Sequence, residues 1–462
     1  EAGTAPHSDG PSRRNRSRNA SSAAMERFDD IIIGAGPGGY EIAAELAASG
    51  RKIALIEKDR PGGTCLNRGC IPTKCLCATA SMMLSLRDAA AFGIDTGDIS
   101  VNYDAARQRM HGVVESLRSG VETLLAKVET IHATARILPD GTVEADGRQL
   151  NADRVLIATG SRPAILSVEG AEHALTSDDL LERDIPLPRR VTIIGGGVIG
   201  IEFANIFNAL GSEVTVVEYC KEILPPFDAD IAKRLRTALQ GRGVKFVLGA
   251  EVTAISPDGC VHYRGKRGEA SVEGDTVVMA VGRRPVLPEG LKEAGIELTP
   301  KGYIAVDERM RTSRPGFYAA GDVTGLCMLA HAATAQARKA MFSEDIRLDI
   351  IPSAVFAVPE AAMVGLTAAD CASRGIECAT ARGNFAANGK ALADGMPAGC
   401  VKIVYEPTTR KILGVHVLGP HASDLVAEGA ALIYGGVTVD ELAGSLVHSH
   451  PTLSEVLQSA AR

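Results

Sequence analysis

One structural unit occurs twice in this sequence, and its two copies are 161 residues apart. Each copy begins with a short apolar run, residues 28–33 or 191–194, which predicts a buried strand. A Gly-x-Gly-x-x-Gly segment, an apolar helical pattern and a second apolar run ending in glutamate follow. The matching landmarks are Gly34 with Gly195, Gly50 with Gly211, and Glu57 with Glu218, each pair separated by the same 161 positions. Agreement at three landmarks is improbable by chance, so the repeat predicts two domains of one fold.

The residues of this unit suit the binding of a dinucleotide. The first glycine permits a tight turn, the second lets a pyrophosphate approach the helix N-terminus, and the third lets the helix pack closely on the strand. The terminal glutamate accepts a hydrogen bond from a ribose hydroxyl. These positions are Gly34, Gly36, Gly39 and Glu57 in the first copy and Gly195, Gly197, Gly200 and Glu218 in the second. We therefore predict an α/β protein with two Rossmann-like dinucleotide-binding domains.

A smaller repeat indicates where the chain passes between these domains. Residues 155–163 and 277–285 each combine an apolar strand pattern with a glycine, Gly160 or Gly282, and a proline. Each segment would close one nucleotide domain and lead into the other. The alternative is that they are two unrelated strand–turn signals.

The remaining segments complete the predicted organisation. A strand pattern at residues 316–322 ends in Asp322, whose carboxylate suits either a sugar hydroxyl or a turn. From residue 351 onward, strand and helix patterns alternate without a glycine-rich phosphate loop. The predicted domains are residues 25–160 with 283–350, residues 161–282, and residues 351–462. Residues 1–24 have only Ala and Pro as apolar residues and an Arg cluster, which predicts a disordered extension or tag.

Two cysteines lie five positions apart in Gly-Gly-Thr-Cys-Leu-Asn-Arg-Gly-Cys-Ile-Pro-Thr-Lys, residues 62–74. In a regular helix such positions are roughly 8–9 Å apart at Cα, whereas a disulfide needs about 7 Å or less. A bond between Cys65 and Cys70 would therefore require a loop or a distorted turn, and Gly69 gives the backbone the necessary freedom. We interpret the segment as a redox-active dithiol. Ordinary buried thiols or half of a metal site are the alternatives, although no second Cys/His pair has zinc-like spacing.

Composition excludes several other functions. The 462 residues carry a net charge of −7, which argues against nucleic acid or an anionic membrane as the main partner. No apolar run is as long as the roughly 20 residues of a membrane span. Ten cysteines scattered over a chain of this size are not a secreted disulfide scaffold. We expect a reducing location, the cytoplasm, or an organellar matrix if the source is eukaryotic.

Taken in order, the dithiol segment, the two glycine-rich units, Tyr-Ala-Ala-Gly-Asp at 318–322 and His-Ser-His-Pro-Thr-Leu-Ser-Glu at 448–455 resemble the flavin-dependent pyridine nucleotide–disulfide oxidoreductases. The resemblance covers residues 25–462. Within the family, the motifs are most similar to those of members that oxidise protein-bound dihydrolipoamide to lipoamide and reduce NAD. The resemblance implies that FAD binds in the first domain, that NAD binds in the second, and that a C-terminal α+β domain forms a homodimer.

The resemblance also implies a role for each site residue. Cys65 would face the substrate and Cys70 the flavin, with Lys74 and Glu202 paired near the flavin. His450, oriented by Glu455, would be the acid–base catalyst and would reach the dithiol from the other subunit. The FAD residues would be Gly34, Gly36, Gly39, Glu57, Lys74, Gly160, Asp322, Met328 and His331, the last through its backbone. The NAD residues would be Gly195, Gly197, Gly200, Glu202, Glu218 and Gly282.

Several alternatives remain open at the level of sequence. Thr452 and Glu455 form a Thr-x-x-Glu capping pattern, so Glu455 could be a helix cap. His448 and His450 could be a metal pair. A glutathione-type or mercuric-type reductase, or a mainly structural subunit of a 2-oxo-acid dehydrogenase complex, would share much of the pattern. The expected partner is the lipoyl-bearing acyltransferase or carrier protein of such a complex or of a glycine cleavage complex.

Overall fold

The computed structural model describes residues 25–462. The predicted extension at residues 1–24 lies outside the described residues. Three large sheets organise the described chain, and the chain leaves the first sheet, builds the second, and then returns to the first before it enters the third.

The first sheet contains the first glycine-rich unit. Its elements are β1 (Glu26–Ile33), α1 (Pro37–Ala48), β2 (Ile53–Glu57), α2 (Gly63–Arg68), α3 (Cys70–Arg87), α4 (Tyr103–Leu124), β3 (Glu129–His132), β4 (Arg136–Ile137), β5 (Val143–Ala145), β6 (Arg148–Ile157) and, later in the chain, β17 (Phe317–Ala319) and α8 (Ala330–Phe342). Strands β3, β2, β1, β6 and β17 lie side by side and parallel. All five residues of β2 are buried, as expected for an internal parallel strand.

The second sheet repeats this arrangement. Its elements are β8 (Leu175–Thr176), α5 (Ser177–Glu182), β9 (Arg190–Ile194), α6 (Val198–Ala209), β10 (Glu213–Glu218), α7 (Ala229–Gly241), β11 (Lys245–Leu248), the hairpin strands β12 (Glu251–Ile255), β13 (Cys260–Gly265) and β14 (Gly268–Glu273), and β15 (Thr276–Met279). The parallel order is β11, β10, β9, β15 and β8. In both sheets the strand before the glycine-rich turn is central, which places that turn at the carboxyl edge where ligands bind in open α/β sheets.

The smaller repeat forms the connection between these two sheets. Strands β7 (Ser161–Pro163) and β16 (Arg283–Pro285) pair with each other in an antiparallel ribbon. Gly160 and Gly282 stand next to the two strands: the carbonyl of Gly160 accepts from Val286 N at 3.0 Å, and that of Gly282 accepts from Ala164 N at 2.9 Å. The similarity of the two segments therefore reflects direct pairing across the crossing.

The third sheet is antiparallel and occupies the C-terminal part of the chain. Its elements are β18 (Ser353–Val355), β19 (Glu360–Gly365), α9 (Ala368–Ser373), β20 (Ala379–Asn384), α10 (Gly389–Ala393), β21 (Cys400–Tyr405), β22 (Ile412–Gly419), α11 (Ala422–Tyr434), α12 (Val439–Gly444) and α13 (Glu455–Ala461). The strand order is β18, β19, β22, β21 and β20. Helix α11 packs on β19 and β22, and α13 packs on β20 and β21. The mixed α/β class predicted from sequence is confirmed.

One helical segment is more apolar on average than its sequence suggests. The continuous segment Gly63–Arg87, which comprises α2 and α3, is long and apolar enough, by length and composition, to cross a membrane. Sequence inspection missed it because polar residues such as Asn67 and Lys74 interrupt the run. In the structure, α3 packs between α4 and α6, and the Lys74 ammonium bonds a carboxylate on α6. These contacts are those of a core helix of this fold.

Candidate active site

The two glycine-rich turns have the same geometry. Gly34 and Gly195 have φ of +104° and +107°, and a Cβ on either would lie 2.4 or 2.3 Å from a carbonyl oxygen of the neighbouring strand's end. A Cβ on Gly39 would lie 1.9 Å from the carbonyl oxygen of Gly34, and the equivalent distance from Gly200 to the Gly195 oxygen is 2.0 Å. Glycine is therefore required at these positions by close packing of helix, turn and strand.

The two predicted acidic residues also make equivalent contacts. Glu57 accepts hydrogen bonds from Ala35 N at 2.7 Å and from Asp59 N at 2.8 Å. Glu218 accepts from Gly196 N and from Cys220 N, the latter at 2.6 Å. These backbone donors hold each carboxylate at the end of its strand, beside the glycine-rich turn. Burial raises the pKa of Glu57, although the Ala35 N–H opposes that shift.

The middle glycines show that each turn has room for a ligand. A Cβ added to Gly36 or Gly197 would meet no protein atom within 4 Å. Each residue directly precedes a helix, α1 or α6, whose first N–H groups are available to an anion. The residues present therefore fit FAD at the first turn and NAD at the second, because the space that glycine leaves is where a pyrophosphate approaches.

We predict that Gly197→Ala weakens NADH binding about tenfold or more without destabilising the fold. The added methyl group meets no protein atom but occupies the approach of the pyrophosphate. NADH titration gives the affinity, calorimetry the Tm, and absorbance the FAD content, which we expect to stay unchanged. Gly112→Ala, on α4 and also without neighbours within 4 Å, is the matched control. Unaltered NADH affinity in Gly197→Ala would contradict the assignment of this turn.

The dithiol segment is two helices separated by one irregular residue. Cys65 lies in α2, Gly69 has φ −141° and ψ −110°, and Cys70 is the first residue of α3. The predicted distortion is thus a single break between helices. Asn67 fixes α2, because its Nδ2 donates to the carbonyls of Pro61 and Gly63 at 3.0 and 2.9 Å. The thiols of Cys65 and Cys70 lie close enough to shift each other's pKa in opposite directions.

An ion pair of a half-buried lysine and a buried glutamate lies next to Cys70. Lys74 Nζ is 2.9 Å from each carboxylate oxygen of Glu202, whose exposed fraction is 3%. Glu202 Oε1 also accepts from Phe356 N at 3.1 Å, and the Lys74 ammonium lies 4.4 Å from the centroid of the Phe356 ring. Burial disfavours the ammonium, but the Glu202 carboxylate outweighs it and raises the pKa of Lys74. The pair therefore stays ionised and fixes a positive charge near the sulfur.

The two sulfurs are electrostatically unequal. The hydrogen bond from Cys65 and the Lys74 ammonium lower the pKa of Cys70 to about 7, although burial opposes this shift. The position of Cys70 at the N-terminus of α3 acts in the same direction. The hydrogen bond to Cys70, together with burial, raises the pKa of Cys65. In the reduced protein the thiolate is therefore at Cys70 above about pH 7 and is lost below it.

We predict that Lys74→Met slows alkylation of Cys70 at neutral pH about tenfold, because loss of the nearby ammonium raises the thiol pKa. The measurement is iodoacetamide alkylation of the reduced enzyme against pH, with Cys70 followed by peptide mass spectrometry. Lys266→Met, an exposed lysine between β13 and β14, is the control and should leave the profile unchanged. An identical pH profile in both variants would contradict the proposed influence of Lys74.

Cys65 lines a cavity of about 580 Å³. Tyr40, Ile71, Val121 and His331 are among the other lining residues. His331 directs Nε2 to the carbonyl of Pro352 at 2.8 Å, so its ring is held by the segment that leads into the third sheet. A substrate can therefore reach the dithiol through the cavity at Cys65, and not from the side of the ion pair.

Asp322 belongs to a polar cluster at the crossing between the first two sheets. It accepts a hydrogen bond from Ser161 Oγ at 2.5 Å, and Arg283 Nε donates to the same hydroxyl at 2.6 Å. The carboxylate is half-buried and remains able to accept from a ligand hydroxyl. Met328, also half-buried, lies two residues before α8.

His450 and Glu455 are joined directly. His450 Nδ1 lies 2.9 Å from Glu455 Oε1, and Glu455 Oε2 accepts from Thr452 N at 2.8 Å. Only one bond of the possible capping box is formed, the one from Thr452 N to Glu455, because Thr452 Oγ1 donates to Ser449 O and α13 begins at Glu455. The Thr452 N–H and the His450 ring lower the pKa of Glu455. The His450 side chain is 79% exposed, so its Nε2 side is open to another molecule.

The metal alternative receives no support from the described residues. His448 is engaged elsewhere, with Nε2 2.6 Å from Glu428 Oε1. Residues 25–462 contain no group of three or more His, Cys, Asp or Glu side chains that could hold a metal ion.

Sequence reasoning missed several residues that the structure brings to these sites. Ser161 and Arg283 directly follow Gly160 and Gly282 in the smaller repeat. The repeat could therefore have indicated both residues. Phe356, which contacts both members of the ion pair, follows no motif and comes from the third sheet's first connection. Tyr40 lies one position beyond the first glycine-rich segment and lines the cavity beside Cys65.

Comparison with known proteins agrees with this fold. The family described as "Pyridine nucleotide-disulphide oxidoreductase" matches residues 28–337, and its dimerisation domain matches residues 351–461. This chain belongs to the pyridine nucleotide–disulphide oxidoreductase family.

Curated relatives named dihydrolipoyl dehydrogenase are similar over nearly the whole length. That of Chlamydia muridarum is 37% identical, with 94% of this chain and 96% of the relative covered. That of Thermus scotoductus is 38% identical, with 95% and 97% covered. Among solved structures, the HOCl-induced flavoprotein disulfide reductase RclA from Escherichia coli has a TM-score of 0.82 and 27% identity, with 94% of this chain and 99% of that chain covered.

Proposed function

We propose that this protein is a dihydrolipoamide dehydrogenase, which oxidises protein-bound dihydrolipoamide to lipoamide and reduces NAD. The observation that carries the proposal is the unequal dithiol, in which Cys65 lines a cavity and Cys70 adjoins the Lys74–Glu202 pair. Relatives named dihydrolipoyl dehydrogenase at 35–38% identity over most of the chain support it.

The sulfur chemistry follows from this inequality. In the oxidised enzyme, Cys65 and Cys70 would form a disulfide. A thiolate of the dihydrolipoyl group attacks Cys65 Sγ, and Cys70 leaves as the thiolate, because its lowered pKa makes it the better leaving group. The second lipoyl thiol then attacks the lipoyl sulfur of the mixed disulfide and releases Cys65 with the cyclic lipoyl disulfide. Lys74 stabilises the negative charge that remains on Cys70.

FAD, when bound, accepts the electron pair from the dithiol and supplies it as a hydride to NAD. Glycines 34, 36 and 39 with Glu57, Gly160 and Asp322 would hold FAD, together with Met328 and His331. Glycines 195, 197 and 200 with Glu218 and Gly282 would hold NAD. A carboxylate at position 218 favours NAD over NADP, because the 2′-phosphate of NADP requires an Arg or Lys there.

His450 would be the base that removes the substrate thiol proton, held in orientation by Glu455 through Nδ1. The ring is exposed on the third-sheet part of the chain, whereas Cys65 lines a cavity formed by α1, α2, α4 and α8. The two groups would meet in a homodimer in which each subunit supplies His450 to the dithiol of its partner. The match of residues 351–461 to a dimerisation domain supports this arrangement.

The lipoyl substrate would be carried by the acyltransferase of a 2-oxo-acid dehydrogenase complex or by the carrier protein of glycine cleavage. We further propose the domain division predicted from sequence, and the return of β17 to the first sheet supports the assignment of residues 283–350 to the FAD domain. The cytoplasmic or matrix location stays a prediction.

The decisive experiment is a side-by-side assay of three reactions. We expect turnover with NAD and dihydrolipoamide, and little with NADPH and glutathione disulfide or with NADPH and mercuric ion. Activity only with NADPH would overturn the proposal. Dihydrolipoamide turnover would also exclude a purely structural subunit.

A further inference from the structure

A second pair of neighbouring thiols lies in the third-sheet part of the chain. Cys371, in the last turn of α9, is completely buried, and Cys378, the residue before β20, is half-buried. Both are free, and the Cys378 side chain lies close enough to that of Cys371 to help raise its pKa. None of the motifs that define the active site includes either residue.

The backbone enforces this proximity. Helix α9 ends in a Schellman motif: Ile376 N donates to Cys371 O at 2.9 Å and Gly375 N to Ala372 O at 3.3 Å, with Gly375 at φ +68°. This turn reverses the chain, so that Cys378 returns to the last turn of the helix. A capping box between Thr367 and Asp370 fixes the other end of α9. The closed turn therefore holds the segment that carries Cys378 against the C-terminal end of α9, on the side of Cys371.

We propose that Cys371 and Cys378 form a second thiol–disulfide site, which small disulfides oxidise to an intramolecular disulfide. In the first step the Cys378 thiolate attacks one sulfur of a disulfide R–S–S–R, forming a mixed disulfide and releasing R–S⁻. The Cys371 thiol then gives up its proton and attacks the Cys378 sulfur, which forms the Cys371–Cys378 bond and releases the second R–S⁻. Two protein thiols are oxidised, one small disulfide is reduced to two thiols, and a dithiol reverses the reaction.

The order of attack follows from exposure. Burial and the hydrogen bond with Cys378 raise the pKa of Cys371 to about 11, so Cys371 is the resolving thiol rather than the first nucleophile. Cys378 is the one that solvent reaches. The new bond would close a short loop around the end of α9 and limit the unfolded chain, which predicts a Tm increase of roughly 2–5 °C.

Mass spectrometry can test the site directly, because Arg374, a trypsin cleavage position, lies between the two cysteines. Trypsin then yields peptides 348–374 and 375–382, each with one cysteine. The holoenzyme is reduced, freed of reductant, incubated with glutathione disulfide, alkylated and digested without reductant. We expect the two peptides to be linked and to separate on addition of dithiothreitol. Alkylation of both cysteines, or glutathione retained on Cys378 with Cys371 alkylated, would overturn the proposal.

Variants separate this site from the active-site dithiol. Cys378→Ser should abolish the linked peptides and lower the Tm increase to the part that the Cys65–Cys70 disulfide contributes, whereas Cys371→Ala should retain glutathione on Cys378. Cys260→Ser, a half-buried cysteine of the β12–β14 hairpin, is the matched control and should keep the linkage. All three should keep their lipoamide turnover. A Tm increase as large in Cys378→Ser as in the wild type would refute the proposal, because the Cys65–Cys70 disulfide contributes equally to both. That variant suffices if Cys371→Ala does not fold. Because the readout is peptide linkage, the inference is independent of the proposed function.

Discussion

Cys70→Ser is expected to lower dihydrolipoamide turnover with NAD by at least about a thousandfold. A hydroxyl in place of this thiol cannot form the disulfide or leave as a stabilised anion, and loss of an essential covalent group typically has an effect of this order or larger. Cys70 is also the sulfur that the Lys74 charge and the N-terminus of α3 act on, so no neighbouring thiol replaces it.

The same variant should keep part of its chemistry. Oxidation of NADH by an artificial electron acceptor such as ferricyanide uses the nucleotide sites but neither sulfur, so we expect that activity to continue. FAD content should be unchanged for the same reason. Cys75→Ala, one turn further along α3 and buried in the core, is the control. It should lose about 1 kcal/mol of stability but keep its turnover within about twofold. Substantial lipoamide turnover by Cys70→Ser would contradict the proposed disulfide mechanism.

His450→Gln is expected to lower turnover by about 10²–10⁴-fold, the usual contribution of a general acid–base group. The more informative test is to combine subunits. If each site takes its dithiol from one chain and its histidine from the other, coexpression of Cys65→Ser with His450→Gln subunits should restore about a quarter of the wild-type turnover. Half of a random dimer population is mixed, and one of the two sites in each mixed dimer is intact.

The control pairs Cys65→Ser with Cys70→Ser subunits. Every site in that mixture lacks one sulfur, so no turnover should return. Subunit ratios are measured by mass spectrometry of the intact chains, and turnover is expressed per mixed dimer. If Cys65→Ser with His450→Gln also shows no recovery, the histidine and the dithiol belong to one chain, and the shared site is wrong.

Local sequence patterns were sufficient to predict the structure of the two repeated dinucleotide-binding units. Gly34 and Gly195 could be paired from sequence because the same turn imposes the same positive φ and the same close approach at both places. The acids Glu57 and Glu218 follow at the same offset because the helix has 12 residues in both copies and ends at the same distance before the acid. Even their backbone donors, Ala35 and Gly196, repeat at that offset.

Contacts between segments that are distant along the chain could not be predicted from local sequence patterns. The pairing of Lys74 with Glu202 was expected only from the family resemblance, since 128 positions separate them and no spacing rule relates them. Phe356, which contacts both members of the pair, was not anticipated at all. The Thr-x-x-Glu alternative at Thr452 is realised only in part: Glu455 accepts from Thr452 N, but the Thr452 hydroxyl donates to Ser449 O and the helix begins at Glu455.

The sequence by itself determined that this chain contains two dinucleotide-binding units and a dithiol segment, because turns, strands and helix starts depend on residues close along the chain. The family resemblance assigned the two sulfurs different roles, but only the tertiary structure supplied the physical reason. Cys65 and Cys70 are equivalent as sequence letters, and they become different when α3 packs on α6 and brings Glu202 and Lys74 together beside one of them. Electrostatic inequality of this kind is a property of burial and of neighbours brought in by folding, which local sequence does not encode.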